Sequence, residues 1–229
     1  MRLNKFIASA TGRSRREADD LIAAGRTQVD GEVASLGARV EDAQEVMLDG
    51  KKLILPAERT LIMLYKPVGY VSSRRAQAKD TKTLYELLPP NLRKLKTVGR
   101  LDRDSSGLIL LTDDGDFAFS MTHPKFAKTK IYEVELDKPL EPLHQQMISD
   151  FGIDLPDGKS RLHLDRIQND SNPDSRFCYW RITMHEGRNR QIRRTFAALG
   201  YTVKKLHRTD FGNYHLGNLP AGQWIAMKI

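Results

Sequence analysis

The segment at 99–108 carries the side chains best suited to chemistry. It reads G-R-L-D-R-D-S-S-G-L and places two acids, two arginines and two serines directly before an apolar run. Short acidic and hydroxylated segments of this kind occur in polar turns, where the acids cap local backbone groups, as well as in functional loops. The segment alone therefore leaves a turn, a metal loop and an active site open.

A calcium loop is the metal-binding interpretation to weigh. Asp102, Asp104, Ser106 and Gly107 match the start of D-x-D-x-D-G, and Asp113 falls at the twelfth position. Such a loop requires a bidentate glutamate at its end and helices on both sides, whereas 108–111 is an apolar run that predicts a strand. The six histidines lack H-x-x-H or H-x-E spacing, and the single cysteine, Cys178, has no ligand-spaced partner. We therefore expect no metal site.

A second segment, at 186–194, is rich in arginine and reads E-G-R-N-R-Q-I-R-R. Arg190, Arg193 and Arg194 have the i, i+3, i+4 spacing of one helical face, and the predicted helix runs from about 189 to 199. An apolar stripe lies beside that face: Ile192, Phe196 and Leu199. Cations at a helix start interact unfavourably with the helix dipole, so helix stability does not explain these arginines. Their presence therefore favours a functional role.

Both segments fit one known family. G-R-L-D-R-D-S-S-G-L-I-L-L-T-D-D-G resembles the active-site motif of the RsuA/RluB-type ribosomal pseudouridine synthases, G-R-L-D-x-x-T-S-G-L followed by L-L-T-x-D-G. Ser105 replaces the usual threonine and keeps the hydroxyl. Further family elements follow in chain order: Y-K-P-V-G at 65–69, H-P at 123–124, K-I-Y at 130–132, E-G-R-N-R-Q-I-R-R at 186–194, and Leu206, Arg208, Gly212, Leu216, Leu219 and Gly222.

The resemblance implies an enzyme that isomerises uridine to pseudouridine in ribosomal RNA, with Asp102 as nucleophile or base. The reaction breaks the glycosidic bond, rotates the uracil and rejoins it through carbon 5 of the ring. It involves neither redox chemistry nor group transfer, so we expect no cofactor and no metal.

The resemblance also assigns roles to other residues. Arg193 is the expected counter-ion that keeps Asp102 ionised in a closed pocket. Tyr132 is the expected active-site tyrosine, stacked on the extruded base, and Arg100 is expected to help extrude or replace that base. The remaining RNA contacts of the catalytic domain are expected from Arg188, Arg190 and Arg194.

The first 50 residues predict a small separate unit. Leu3, Ile7 and Ala10 have helical spacing that ends at Thr11-Gly12, and S-R-R-E at 14–17 is a capping box before a second helix. Short extended pieces around 29–33 and 46–48 follow, so we predict two helices and a small sheet.

This unit resembles the RNA-binding domain first named for ribosomal protein S-four, in the order M-R-L-N-K-F-I, S-R-R-E-A, glycine and V-D-G. Up to Thr27 it has six basic and three acidic residues, a balance of +3. The resemblance implies that Arg13, Arg15 and Arg16 lie against RNA phosphates.

The rest of the chain predicts an α+β fold. We expect a linker at 51–60 and a pseudouridine synthase domain at 61–229 with an extended mixed, mainly antiparallel sheet. Apolar runs or alternating patterns predict strands at 61–65, 108–111, 131–136 and 177–184.

Composition limits the class of protein. The chain has 37 lysines and arginines against 29 acids, a net charge of +8 and a pI of about 9.6, which favours a nucleic-acid partner. One cysteine excludes an intrachain disulfide, and no apolar run approaches membrane-spanning length. We expect a soluble, cytoplasmic monomer that has no membrane partner and binds ribosomal RNA or an assembling ribosomal particle.

Two points stay open at this stage. The arginine-rich 186–194 segment and the L-x-R-x-x-F-G after it lean toward large-subunit RNA as substrate, with small-subunit RNA as the alternative. A non-catalytic RNA-binding assembly factor with the same first domain is the other functional class, against which the Asp102, Tyr132 and Arg193 set argues.

Overall fold

The computed structural model describes residues 1–74, 81–167 and 177–228. Its N-terminal part has two helices and a small sheet, as predicted. The elements are α1 (Leu3–Thr11), α2 (Arg15–Ala23), β1 (Thr27–Val29), β2 (Glu32–Val33), β3 (Val46–Leu48) and β4 (Lys51–Lys52).

Local sequence explains both N-terminal helices. Helix α1 ends where Gly12 adopts a left-handed φ of 74° and donates its N–H to Ala8 O. Helix α2 starts with the predicted capping box: Ser14 accepts from the Glu17 N–H, and the Glu17 carboxylate accepts from the Ser14 N–H. The apolar faces of both helices pack together in one buried cluster with the sheet.

The small sheet has the order β2-β1-β3-β4, and all its pairs are antiparallel. Lys51 and Lys52 pair with β3, and the Leu53 N–H donates to Val46 O. The segment predicted as a linker at 51–60 therefore begins inside the first sheet, because two lysines carry no apolar signal that would reveal an edge strand.

The second part contains the remaining strands and helices. The strands are β5 (Leu61–Lys66), β6 (Lys96–Val98), β7 (Ser106–Thr112), β8 (Lys130–Leu136), β9 (Ile153–Leu155), β10 (Gly158–Ser160), β11 (His163–Arg166), β12 (Tyr179–Met184), β13 (Val203–Phe211), β14 (Tyr214–His215) and β15 (Trp224–Met227). The α-helices are α3 (Gly115–Thr122), α4 (Pro142–Gln146) and α5 (Gln191–Ala197), with 3-10 turns at Leu84–Leu87, Pro90–Leu92 and Pro124–Phe126 and a π-helical turn at Met147–Phe151.

One large sheet dominates this part, in the order β11-β12-β8-β13-β7-β5-β15, with β14 on β13 and β6 on β7. Only the β13–β7 pair is parallel among the strand pairs of the described residues. The sheet is thus mixed and mainly antiparallel, and the predicted fold class is confirmed. Each predicted strand is present within about three residues of its expected bounds.

Both faces of this sheet are covered. Ile109 and Leu111 of β7 point into one hydrophobic cluster, and Leu108 and Leu110 point into a second cluster on the other face. Burial on both faces explains why the 108–111 run is continuous rather than alternating.

The longest α-helices in the described ranges have nine residues. None of the described helices is long and apolar enough to cross a bilayer.

Candidate active site

A cleft of about 550 Å³ opens where β7 begins. The turn before β7 forms one wall, and the segment leading into α5 forms another. The charged and aromatic side chains on its surface include Arg100, Asp102, Lys130, Tyr132, Arg188, Arg190 and Arg208.

Asp102 lies in a tight turn against this cleft. Its carbonyl accepts the Ser105 N–H at 3.1 Å, and the carbonyl of Arg103 accepts the Gly69 N–H at 2.7 Å, so the turn is fixed from two sides. The Asp102 side chain is 32% exposed and faces the cleft. The arrangement presents a carboxylate to a ligand on a rigid backbone.

Gly107 follows the turn and allows β13 to approach it closely. Its φ is +108°, and a Cβ placed there would collide with the backbone of Arg208 on β13. Only glycine tolerates both conditions. The glycine of the S-S-G-L motif therefore sets the distance between the turn and the strand that carries Arg208.

Arg190 is the cation next to both acids of the turn. Its two terminal nitrogens each donate to one carboxylate oxygen of Asp104 at 3.0 Å, and its Nη1 lies 3.7 Å from Asp102 Oδ2. Arg190 has a left-handed φ of 48°, which is costly for a residue with a side chain. It stands as N-cap outside α5, so the expected helix start at 189 was two residues early.

Arg193 has a different partner from the one expected. Its Nη2 donates to Asp104 O at 2.7 Å, its Nη1 donates to Val203 O at 2.8 Å, and its Nε lies 3.2 Å from Asp104 Oδ2. The side chain is only 12% exposed, and burial lowers the pKa of its guanidinium while the charge of Asp104 opposes that shift.

The direct ion pair expected between Arg193 and Asp102 is thus replaced by one with Asp104. The reason is geometric: Arg193 is inside α5 and lies beneath the turn, whereas Arg190 stands outside the helix and reaches the turn from the cleft. Burial alone would raise the pKa of Asp104, but the hydrogen bonds from Arg190 and the charges of Arg193 and Arg190 bring it below its ordinary value.

Arg188 and Arg194 converge on Asp157, in the turn between β9 and β10. Arg194 donates to both carboxylate oxygens of Asp157 at 3.0 and 2.7 Å. Arg188 donates to Asp157 Oδ1 at 3.2 Å and to the backbone carbonyls of Asp157, Gly158 and Lys159. Both arginines, expected as RNA contacts, therefore hold a hairpin against the start of α5.

Tyr132 lies on β8 and lines the cleft. Two cations that had no assigned role, Arg208 and Lys130, also line the cleft. Arg208 is 2% exposed, its Nε donates to Leu108 O at 2.8 Å, and its guanidinium carbon lies 6.0 Å from the centre of the Tyr132 ring. Burial lowers the pKa of Lys130, and the charge of Arg208 lowers it further.

Lys66, from the K-P-V-G segment, is a further buried cation. Its ammonium donates to the carbonyls of Pro67 and Tyr70 at 2.9 and 2.8 Å. Burial lowers the pKa of Lys66 to about 8, against the opposing charges of Asp102 and Asp104. Family motifs mark the positions of Lys66, Lys130 and Arg208, but burial and neighbours become known only from the fold.

The N-terminal arginines lie elsewhere on the surface. Arg13, Arg15 and Arg16 are exposed, and Arg15 donates to the neutral amide oxygen of Asn4 at 3.1 Å. Among the described residues, two polar contacts join this unit to the sheet domain: Lys96 donates to Arg13 O at 3.0 Å, and Lys5 pairs with Asp116 at 2.6 Å. The structure thus separates these arginines from the cleft, which Arg100, an exposed residue, lines directly.

The calcium interpretation of 102–113 has no structural basis. Residues from Ser106 to Thr112 form β7 in the middle of the large sheet, and Asp113 accepts the Thr60 N–H at 2.9 Å. A strand replaces the loop that would have to wrap an ion. Among the described residues, no three histidine, cysteine or acidic side chains are grouped as metal ligands.

The chain is similar to known proteins along its whole length. Residues 60–198 match the family model described as RNA pseudouridylate synthase, and residues 1–46 match the S4 domain. The ribosomal large subunit pseudouridine synthase B of Bacillus subtilis (strain 168) is 36% identical, over 96% of this chain and 89% of that protein. The ribosomal small subunit pseudouridine synthase A of Pasteurella multocida (strain Pm70) is 37% identical, over 100% and 96%. A crystal structure of a pseudouridylate synthase superposes with a TM-score of 0.68 at 32% identity, covering 100% of this chain and 96% of that one.

Proposed function

The chain belongs to the RNA pseudouridylate synthase family, and we propose that it converts uridine to pseudouridine in ribosomal RNA through the carboxylate of Asp102. The observation that carries the proposal is the position of Asp102, exposed to a cleft whose other walls present Tyr132 and several cations. An extruded uridine entering this cleft meets a carboxylate on a fixed turn, which is the group the isomerisation needs.

The reaction rearranges bonds within one nucleotide. The bond between uracil nitrogen 1 and the ribose anomeric carbon breaks, a bond from ring carbon 5 to that carbon forms, and a proton leaves carbon 5 while nitrogen 1 gains one. The carboxylate of Asp102 serves as nucleophile or base, and Tyr132 packs on the base in the cleft. No atom is gained or lost.

Arg190 and Arg193 support this carboxylate in different ways. Arg190 lies 3.7 Å from Asp102 on the cleft side and places a positive charge beside that carboxylate. Arg193 fixes the turn from below through the carbonyl and carboxylate of Asp104. We propose that the electrostatic role expected of Arg193 is divided between these two residues.

A separate question is which ribosomal subunit contains the substrate RNA. Relatives named for each subunit match along nearly the whole chain at similar identity. The arginine-rich 186–194 segment and the L-x-R-x-x-F-G after it favour large-subunit RNA, and we propose that substrate first.

Mapping pseudouridine in both ribosomal RNAs, from cells with and without this protein, tests the function. We expect one or a few sites to disappear in its absence and to return with the wild-type protein. Asp102→Asn keeps the shape of the side chain and removes the nucleophile or base, so it should bind RNA and restore no site. Full restoration by Asp102→Asn would refute the role of Asp102, and an unchanged map without the protein would instead favour a non-catalytic assembly factor.

A further inference from the structure

An exposed group of aromatic rings stands at the rim of the cleft. Phe119 lies in the last turn of α3, His123 ends that helix, and Phe126 lies in the 3-10 turn that follows. The Phe119 ring is 4.6 Å from that of His123 and 5.9 Å from that of Phe126, measured between centres. We call these three residues the rim aromatic group.

These rings are accessible to a ligand. Phe119 is 47% exposed and Phe126 is 41% exposed, so neither belongs to the buried hydrophobic clusters of the described residues. Grouped exposed aromatic side chains cost free energy in water, and such patches mark binding surfaces. Core packing therefore does not account for this group.

The turn that carries the rings is held rigid by its own backbone. The Lys125 N–H donates to His123 Nδ1 at 3.2 Å, the Phe126 N–H donates to His123 O at 3.1 Å, and Ala127 ends the turn in a left-handed conformation with φ 43°. A ligand thus meets preorganised rings, which lowers the entropy cost of binding.

A cation accompanies the rings. The Lys125 ammonium lies 5.3 Å from the centre of the Phe119 ring and 4.7 Å from that of Phe126. An exposed cation–π contact is weak, so the ammonium can leave the rings for an anion that attracts it more strongly. Rings and a cation together fit a nucleotide, whose base stacks while its phosphate takes the cation.

The position of the rim aromatic group indicates which nucleotide of the RNA it would contact. Thr122 and Pro124, within the same segment, line the cleft that holds Asp102. Pro124 also lines a second cleft of about 610 Å³. A uridine extruded into the first cleft leaves its neighbours in the RNA strand without a stacking partner.

We propose that the rim aromatic group stacks on an unpaired base next to the target uridine, and that Lys125 moves from the rings to the phosphate of that nucleotide. The inference rests on the proposed function for its substrate, ribosomal RNA. It adds a binding site for a flanking nucleotide to the site for the reacting one.

The first test measures binding of a single-stranded 12-nucleotide oligouridylate to the full chain by fluorescence anisotropy. Phe119→Leu with Phe126→Leu keeps apolar bulk and removes the stacking faces, so we expect the Kd to rise at least fivefold. The matched control is Phe177→Leu: Phe177 is 39% exposed with the Arg166 guanidinium 5.0 Å from its ring centre, but positions 177–183 contribute no residue to the cleft lining, unlike the segment that carries Phe119 and Phe126. We expect the control to bind within twofold of wild type.

Two single variants sharpen the test. Phe119→Trp should keep the affinity, and its added indole emission, relative to wild type, should be quenched by the oligouridylate. Lys125→Gln should make the slope of log affinity against log salt shallower by about 0.7, the value for one phosphate contact on a single strand.

A Kd within twofold of wild type for the double leucine variant, or an equal loss in Phe177→Leu, would overturn the proposal. If the double variant melts at a lower temperature, Phe119→Trp decides instead, and an unquenched indole overturns it. Failure of the proposed function is distinguishable, because it is seen as ribosomal RNA left unmodified by a wild-type protein that still binds the oligouridylate through these rings.

Discussion

Three arginines of the N-terminal unit, Arg13, Arg15 and Arg16, have environments opposite to those of the arginines at the start of α5. Arg13, Arg15 and Arg16 are exposed on and beside α2, and the Arg15 side chain donates to the neutral amide oxygen of Asn4. The arginines of 188–194 each make an ion pair, with Asp104 or with Asp157. The two sets of arginines are similar in number but differ in whether an acidic side chain pairs with them.

The difference teaches which cations are available to RNA. An exposed arginine that binds a phosphate releases counter-ions from the RNA, whereas a paired arginine must first break a protein contact. We therefore expect the N-terminal arginines to supply salt-dependent affinity and the α5 arginines to build the site. Four predictions test this division.

The largest effect is expected from Arg193→Met. Arg193 makes two short hydrogen bonds to backbone carbonyls that the methionine leaves without a donor. Hydrogen bonds from a charged group contribute about 1.5 to 3 kcal/mol each, so the free energy of unfolding should fall by about 3 kcal/mol. Pseudouridine formation should be lost with it.

Urea unfolding and single-turnover rates measure both quantities. Arg193→Lys keeps the charge without the planar fork and should retain partial activity. If Arg193→Met unfolds like wild type, the residue is not a structural support of the turn.

The second prediction concerns the pH dependence of stability caused by Lys66, a buried lysine. Its pKa is about 8 in the folded protein, below the ordinary 10.5, so between these pH values the unfolded chain binds a proton that the folded chain does not. Stability therefore rises with pH in this window, with a contribution approaching about 1.4 kcal/mol per pH unit. Lys66→Met should lack that rise when urea unfolding is compared at pH 8, 9 and 10. Parallel curves for the two proteins would contradict the lowered pKa.

Substitution of Arg190 should lower activity but leave the free energy of unfolding nearly unchanged. Because the residue is exposed and has a left-handed φ, Arg190→Gly removes the charge and also the backbone strain, and the free energy of unfolding should change by less than about 1 kcal/mol. The single-turnover rate should fall about tenfold, as expected for the loss of about 1.4 kcal/mol of electrostatic support. Arg190→Lys should recover part of the rate. An unchanged rate in Arg190→Gly would mean that Arg190 does not support the carboxylate of Asp102.

The smallest effect is expected in the N-terminal unit. Each of Arg15→Ala and Arg16→Ala should lower ribosomal RNA affinity a few-fold and reduce the salt slope by about 0.7 to 0.9. Stability should stay within about 0.5 kcal/mol, as for other exposed positions. Arg194→Met is the matched control from α5, since Arg194 is paired with Asp157 and should leave the slope unchanged. If Arg194→Met reduced the salt slope and the N-terminal variants did not, the α5 arginines, and not the N-terminal ones, would be the phosphate contacts.

Sequence patterns predicted the features that depend on neighbours along the chain. The capping box at Ser14 and Glu17 forms within one helical turn, and the 108–111 run is apolar because the strand is buried on both faces. The choice of Asp102 followed from a long motif resemblance, and the structure places it on the cleft that Tyr132 also lines.

Pairing between distant residues was beyond the sequence. Arg193 meets Asp104 across 89 positions, and the choice of Asp104 over Asp102 depends on how the α5 segment packs on the turn. The spacing of Arg190 suggested one helical face with Arg193 and Arg194, but its left-handed backbone turns it out of that face. The edge strand at Lys51–Lys52 was missed because its evidence is a hydrogen-bonded partner, not an apolar pattern.

The place of β13 in the sheet bears on when a new chain becomes active. This strand, at Val203–Phe211, inserts between β8 and β7, and β15 from the end of the chain pairs with β5. Long-range pairings of this kind form slowly, and β7 lacks one neighbour until they do. The turn at Asp102 thus gains all its strand neighbours only after about a hundred further residues have left the ribosome, so in a nascent chain the N-terminal unit forms well before the candidate active site.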